Sequence, residues 1–422
     1  MYTRSLLCVV ALIAGCAGAH PRQATVADST EALVLTSNDH AHLTREVALP
    51  PLRRLSSDDG VLTVTVPATL SGPIKRLDSE HGVQYKLTLD IGTATPVQCT
   101  VAVNRFDIAS TLERSANDAF ADLDRRVKAK LLRQIISINA GSAGRAPYLE
   151  AVWIVVTQAD DERQVGSVKL ITGARDTSSA ICQHIGEPGY SESFSSVARS
   201  VLESFELQGI SAVRADYEEI STTIIAAMTV GIQSFQVFVT DDGTLRIEQI
   251  SSMIVPTSAQ DLAHMEGVNI SIARKDGSLL RKDVLRFEKN EAVTVLRAQP
   301  DVPGRWRVEG TFEREAYTAS FAAERPASTL THMMVVADMI ERGDIGKTRK
   351  YQYWDDIDPS QAIDVETTIT NARSDGNYDV RMMLGPLAIT GIFDHTGSAL
   401  SATMSAHGGS VQIDRIYKSG AW

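Results

Sequence analysis

The chain has 422 residues, 43% of them hydrophobic and 6% aromatic, and its 52 acidic and 41 basic residues give a formal net charge of −11 at pH 7. That balance argues against a general nucleic-acid binder and against a basic membrane-surface patch, both of which need an excess of Lys and Arg.

The first element is a leader. Arg4 supplies a positive n-region, Leu6 to Ile13 a short apolar run, and Ala14 and Gly15 the small residues that precede cleavage. The run is far below the roughly 20 apolar residues of a spanning helix, and no later stretch reaches that length. The order Leu12-Ile13-Ala14-Gly15-Cys16 resembles the lipobox of bacterial lipoproteins. The resemblance implies removal of residues 1–15 as a signal peptide and acylation of Cys16, which would anchor the chain stably, since each buried methylene contributes about 0.8 kcal/mol. Ala17 rather than Asp follows the cysteine. In the sorting rule of Gram-negative lipoproteins this implies the outer membrane, with the body facing the periplasm or exposed at the surface. The plainer alternative is a secretory leader with a chance cysteine.

Residues 16–59 read as a flexible, lipid-anchored tether, rich in Ala, Ser, Thr, Asp and Pro and without a sustained period. As a coil the segment would span about 35 Å. His40 and His42 within it read as solvated loop histidines, with a weak metal contact as the alternative. Cys8 leaves with the leader and Cys16 carries lipid, so Cys99 and Cys182 remain. In an oxidising periplasm such a pair is most simply a disulfide, closing a loop of about 84 residues and contributing roughly 4.5 kcal/mol in the chain-entropy account. Two separate buried thiols are the alternative.

Residues 60–210 read as an α+β domain. Strands are predicted at 61–66, 84–90, 97–103, 148–157, 165–172 and 179–185. A helix opens at the capping box Ser110-x-x-Glu113 and buries Leu112, Ala116, Ala119, Phe120, Leu123, Val127 and Leu131. Its basic surface, Arg125, Arg126, Lys128 and Lys130, reads as solvated. A second helix spans 193–207 on a stripe of Phe194, Val197, Ala198, Val201 and Phe205, with Gly209 placed to end it. The expected outcome is helices on an antiparallel sheet. This order and the closing pattern Cys182-Gln183-His184, Gly189-Tyr190-Ser191, Phe194 and Leu202-Glu203-Ser204-Phe205 are similar to the PsbP-like sandwich found in small DcrB-like bacterial lipoproteins. The resemblance implies an accessory or binding protein and carries over no site residue.

From 217 to 422 the pattern is mainly antiparallel β, a curved sheet or half-barrel, with one sheet and two modules divided near 325–330 both open. Asp241-Asp242-Gly243 and Lys275-Asp276-Gly277 mark hairpin turns. Strands are predicted at 229–240, 245–254, 268–274, 279–287, 292–298, 305–312 and 316–323. A helix of about two turns follows at 333–340, and then strands at 347–354, 363–370, 379–383, 387–393, 399–405 and 411–416. The layout Gly346-Lys347-Thr348, Tyr351-Gln352-Tyr353-Trp354 and then Phe393-Asp394 with Gly397 resembles the β-rich half-barrel found beside transglutaminase-like domains. That resemblance implies a curved sheet around a helix and a binding or scaffolding role.

Catalytic signatures are missing. The sequence has no His-Glu-x-x-His, no Gly-x-Ser-x-Gly and no Gly-x-Gly-x-x-Gly, and Gly346-Lys347-Thr348 lacks the opening glycine of a P-loop, Glu341 standing there. Asp160-Asp161-Glu162 reads as a polar hairpin tip. Tyr351, Tyr353 and Trp354 precede Asp355, Asp356 and Asp358. Aromatic platforms beside carboxylates suit a sugar or peptide groove, whereas the bland reading is a strand running into an acidic turn. Trp306, between Arg305 and Arg307, faces a sheet interior or stacks with a partner. Tyr351, Tyr353, Trp354 and Trp306 are thus the candidate ligand surface, and no catalytic, cofactor or metal site is expected. The function expected is non-enzymatic binding or scaffolding of an envelope component (protein, lipid or glycan) by an outer-membrane lipoprotein that meets the membrane through Cys16 and takes no nucleic acid. A carrier of lipid or another hydrophobic ligand in the C-terminal β domain and a cryptic envelope hydrolase are the alternatives.

Overall fold

The computed structural model describes residue 33 and residues 37–79, 82–104, 107–127, 130–159, 162–209, 213–288, 291–406 and 409–422. The leader, Cys16 and residues 17–32 of the expected tether lie outside the described residues, as do Asp160 and Asp161 of the acidic tip and Lys128 of the basic helix surface. The chain divides into two units, Ala27–Arg214 with Ser252–His264, and Ala215–Ser251 with Met265–Trp422. Most of it is antiparallel β-strand.

The N-terminal unit runs α1 (Ser37–Leu43), β1 (Arg53–Ser56), β2 (Leu62–Val66), β3 (Thr69–Leu70), β4 (Lys75–Ser79), β5 (Gly82–Asp90), β6 (Val97–Ala102), α2 (Ile108–Arg126), β7 (Lys130–Ala143), β8 (Ala146–Ala159), β9 (Glu162–Arg175), β10 (Ser178–Gly186), α3 (Ser191–Ser204) and β11 (Glu206–Leu207). Among the described residues these strands make an 8-stranded sheet, ordered β3-β5-β6-β10-β9-β8-β7 with β4 also on β5, and a 3-stranded sheet β1-β2-β11. Residues opposite one another on neighbouring strands share a face. Leu87, Cys99, Cys182 and Ile171 form one such row. They pack with Phe194, Val197 and Val201 of α3 and with Leu62, Val64 and Val66 of β2. Helix α2 packs along β9, β8 and β7, where Phe120 meets Trp153 edge-on at 5.5 Å. Trp153, Val168 and Ile185 are opposed across β8, β9 and β10, a row of the other face. The two helices therefore lie on opposite faces of the larger sheet. Cys99 and Cys182 are disulfide-bonded.

Several expectations change. Residues 37–56 are not tether but part of the unit. Asp39 is buried and pairs with Arg163 at 2.8 Å. Glu46 accepts the backbone N–H groups of Glu192 at 3.0 Å and Ser193 at 2.8 Å. It thereby caps α3, whose own N-cap Tyr190 offers no side-chain bond. The capping box at Ser110 is absent, because α2 begins at Ile108, one turn earlier than the box would place it, and buries Ser110. Glu113 instead pairs with His264. The apolar stripe stops before Leu131, which lies on β7, a strand the sequence reading missed. The tandem Ile135-Ile136 straddles a bulge there, which hides the two-residue period. Gly209 does not end α3, since Phe205 is already extended and β11 intervenes. The tip 252–264 belongs to this unit because it covers the edge of β7. Ile135 N–H donates to Ala259 O at 2.8 Å, and Trp153 Nε1–H to Gln260 O at 3.2 Å.

The C-terminal unit runs β12 (Tyr217–Ile225), β13 (Met228–Val239), β14 (Leu245–Pro256), β15 (Leu262–Ala273), β16 (Leu279–Glu288), β17 (Glu291–Val302), β18 (Arg305–Phe312), β19 (Glu315–Ala322), α4 (Thr329–Glu341), β20 (Thr348–Tyr353), β21 (Ile363–Ala372), β22 (Tyr378–Leu384), β23 (Leu387–Phe393), β24 (Ala399–Ala406) and β25 (Gly409–Gly420). Among the described residues these strands form one 14-stranded sheet, from β19 in reverse order to β12, then β25 in reverse order to β20. The chain enters mid-sheet, meanders to one edge, crosses through α4 to the other and returns, so that β25 closes on β12. The unit is one continuous sheet, with no division near 325–330.

Helix α4 touches both halves. Leu330 packs with Tyr217, Val237, Ile247 and Ala273, and Val336 and Met339 pack with Ile369, Val380 and Phe393. Strands so far apart in the sheet reach one short helix only if the sheet curves around it. Two tight turns abut the helix. A Cβ at Gly397 would stand 2.0 Å from Met333 O, and one at Gly277 would stand 2.6 Å from Thr331 Oγ1, and both glycines have positive φ. The helix starts before the predicted 333 because Thr331 Oγ1 accepts the Ser328 N–H at 3.1 Å and donates to Gly277 O at 2.8 Å.

The disulfide joins neighbouring strands 83 residues apart in sequence. Replacing both cysteines by Ala should lower the stability of the N-terminal unit by about 2–5 kcal/mol, read from its unfolding midpoint with and without reductant.

Candidate functional site

The aromatic–acidic run 351–356 closes the C-terminal unit from within. Trp354 is 0% exposed. It stacks on Phe321 at 6.1 Å, and Phe321 stacks on Trp306 at 6.0 Å. Trp306 is also buried, so neither indole offers a platform to solvent, and the interior alternative holds for Trp306. Its edge borders a cavity of about 330 Å³ with Pro300, Val302 and Pro303. Tyr351 OH bonds His332 Nδ1 at 2.6 Å and Thr367 Oγ1 at 3.2 Å. Tyr353 is buried, and its hydroxyl donates to Asp355 Oδ2 at 2.8 Å. Of the four residues only Tyr353 meets a carboxylate, that of Asp355, while Trp354 and Trp306 are joined through Phe321 and Tyr351 bonds His332 and Thr367.

What gathers them is Lys282 on β16, itself 0% exposed. Its ammonium donates to Tyr353 OH at 2.9 Å, Asp355 Oδ2 at 3.0 Å and Trp354 O at 3.1 Å. Two pleat repeats further along β16, Arg286 donates to Asp356 Oδ1 at 2.8 Å and to Asn269 Oδ1 at 2.9 Å. Burial disfavours the Lys282 ammonium, yet Asp355 and Tyr353 outweigh it and hold its pKa above the usual lysine value. Burial likewise disfavours the Asp355 carboxylate, but Lys282 holds it well below the carboxylate range. The adjacent Asp356 goes the other way. Burial, against the pull of Arg286 and with the repulsion of Asp355, pushes its carboxyl up. Burial and the Lys282 charge lower His332 to about 4. Sequence reasoning missed Lys282 and Arg286 because a strand that also carries Arg281, Asp283 and Glu288 reads as half-solvated.

A second buried cluster stands in the N-terminal unit. Lys169 and His184 are both 0% exposed. Lys169 Nζ donates to Ser167 Oγ at 2.7 Å, bonds His184 Nδ1 at 3.0 Å and donates to Glu187 O at 3.1 Å. Burial lowers Lys169 to about 7 and, with the Lys169 charge adding to it, His184 to about 4. A serine beside a depressed lysine is a nucleophile–base pairing in principle. Here Ser167 is buried and its hydroxyl donates to Glu187 O at 2.6 Å, so the pair is internally satisfied.

Among the concavities of this unit is a groove of about 510 Å³ on the face that α2 covers only in part. Its floor is a set of cross-strand rows. Lys75, Lys86, Thr100 and Ile181 stand opposite one another on β4, β5, β6 and β10, and Thr88, Gln98 and Gln183 form the next row. Ser115 of α2 borders one side and the arch Ser71-Gly72-Pro73 the other. Gln183 Nε2 donates to Gln98 Oε1 at 3.0 Å. The disulfide lies beneath, on the opposite face, tying β6 to β10. Among the described residues the lining offers ammonium, amide and hydroxyl groups and includes no carboxylate.

Two outcomes follow. Lys282→Met strands a buried carboxylate, so it should cost the C-terminal unit about 3–5 kcal/mol, and adding Asp355→Asn should recover much of that, measured by urea unfolding. In the N-terminal unit the unfolded His184 takes its proton near 6.5 and the folded one only near 4. Stability contributed by the neutral imidazole is therefore lost as pH falls from about 6.5 to about 4. Unfolding midpoints over that window should show the loss, and His184→Gln should flatten it.

No family model and no curated protein matches the sequence. Among solved structures the chain is similar to a β-barrel-like protein of the domain of unknown function DUF1849 from Brucella abortus, at 12% identity and a TM-score of 0.36, over 49% of this chain and 98% of that one. It is also similar to a DUF1089 family protein from Pseudomonas aeruginosa, at 12% identity and a TM-score of 0.26, over 40% of this chain and 88% of that one.

Proposed function

We propose that this chain is a lipoprotein of the bacterial outer membrane, anchored through Cys16 and facing the periplasm, that binds or scaffolds an envelope component without catalysing a reaction. The observation that carries the reading is the Cys99–Cys182 bond. Disulfides persist in oxidising compartments, and this one agrees with an exported chain, as the leader and the Leu12-Ile13-Ala14-Gly15-Cys16 order do. Residues 37–56 pack onto the N-terminal unit and so are no part of the proposed tether.

The open polar groove supports binding. The interior of the C-terminal sheet, where a hydrophobic ligand would have to lie, is occupied by α4 and the Trp306–Phe321–Trp354 stack. The Ser167–Lys169 pair, which a hydrolase reading would use, is buried. Helices on opposite faces of an antiparallel sheet support the PsbP/DcrB-like likeness of the N-terminal unit. The curved sheet around α4 supports the half-barrel likeness of the other.

Metabolic labelling with a fatty-acid analogue should mark the wild-type protein at Cys16, and Cys16→Ser should lose the label and leave the membrane fraction. An exported product with a free thiol at Cys16 would remove the anchor from the reading. Crosslinking in intact envelopes should then capture the component held by the lipidated chain.

A further inference from the structure

We propose that the groove on the N-terminal sheet is a site for a phosphate oxyanion carried on a polyhydroxyl body, with Lys75 and Lys86 as its anion contacts. The inference rests on the binding-protein reading above and names the ligand class of that groove. Lys75 and Lys86 are direct cross-strand partners, an arrangement in which like charges destabilise a sheet. Among the described residues neither has a carboxylate partner. Glu80 lies outside the described residues, and the described acids nearest in sequence are spent elsewhere. Asp59 and Asp78 bond Arg76, which points to the opposite face. Asp90, on the groove face beyond Thr88, caps the Gly92 N–H at 2.8 Å and does not line the groove. In a chain of net charge −11, two opposed and unneutralised ammoniums in a groove whose described lining has no carboxylate favour an anion.

The rest of the lining determines what carries the anion. Thr88, Thr100, Ser71 and Ser115 offer hydroxyls, and Gln98 and Gln183 offer amides that both donate and accept. Such groups match the hydroxyls of a sugar or glycerol. The groove has no aromatic or long apolar wall beyond Pro73, Leu87 and Ile181, which leaves little for an acyl chain to contact. The disulfide fixes the mutual register of the strands carrying Gln98, Thr100, Ile181 and Gln183, so the floor is preorganised.

The test is titration calorimetry on the full-length lipidated protein in detergent with glucose 1-phosphate, glucose and inorganic phosphate. A parallel arm uses vesicles of phosphatidylglycerol in phosphatidylcholine to separate a soluble phosphosugar from a lipid headgroup. Glucose 1-phosphate or the anionic vesicles should bind in a salt-sensitive way. Lys75→Gln and Lys86→Gln should each weaken binding by roughly three- to fivefold and the pair by more than tenfold. Both lysines are exposed, and removing one relieves repulsion. The variants should therefore melt no lower than wild type without ligand, which separates lost binding from lost fold. Glucose binding as tightly as its phosphate, inorganic phosphate binding as tightly as the phosphosugar, binding indifferent to the lysines, or no binding of any probe at millimolar concentration overturns the inference. If the envelope crosslink to the same protein survives those results, the broader binding reading stands and only this ligand class falls.

Discussion

A lysine ammonium with no solvent contact survives in a protein only where matched charge and hydrogen bonds replace its water. Lys282 meets that condition through groups that arrive from the far side of the sheet order. It stands on β16, three strands in from one edge, whereas Tyr353 and Asp355 stand at the end of β20, the other edge. The strand bearing Lys282 and the segment bearing Asp355 must therefore face each other across the concavity. Ala327, bridging Ser278 on one side and Tyr353 on the other, makes the same closure in backbone. A 14-stranded antiparallel sheet has no intrinsic reason to stop at one curvature. The ionic cluster and the helix inside it supply that reason, one by pulling the two regions together and the other by limiting how near they come.

The N-terminal unit reaches definition differently, by layering. Its larger sheet carries α3 and a small second sheet on one face and α2 on the other. Within the first interface a covalent bond joins two strands of long sequence separation, β6 and β10, and on the same face the buried His184 of β10 stands opposite Lys169 of β9. Among the described residues that pair has no acid side chain within hydrogen-bond distance. It is tolerated because both groups are held below their usual pKa values by burial. The C-terminal cluster keeps its charges by pairing them, whereas the N-terminal cluster sheds them.

The contrast explains what was legible in the sequence. Hairpins announced by Asp-Gly turns were readable, because a turn of that type dictates both its own geometry and the strands that flank it. The Cys99–Cys182 pairing was readable by elimination. The position of Lys282 was not, since nothing local distinguishes a strand lysine facing solvent from one facing a partner 73 residues away. The same holds for Trp306 and Trp354. Flanking charges left interior and ligand-facing readings both open, and the stack with Phe321 that buries them is wholly long-range. Residues 37–56 read as tether for a similar reason. Their ties to the fold are polar contacts to α3 and Arg163, the short β1–β2 ladder and the scattered Leu49 and Leu55, not an apolar period.

The groove has a geometric origin that bears on its meaning. A helix with its side chains is about 10 Å across and strands repeat at about 4.8 Å, so one helix covers roughly two or three strands. Helix α2 occupies β7, β8 and β9 and cannot also cover β4, β5, β6 and β10. Some polar surface on that half is therefore a consequence of layer count. Layer count alone, however, would be satisfied by any solvated mixture of charges, and in an acidic chain it would favour carboxylates. It does not account for two lysines placed in register with each other, for the absence of an acid from the described lining, or for the 71–73 arch that turns a flat face into a concavity. Those three features are local choices that weaken the free sheet slightly and make sense together if an anion completes them.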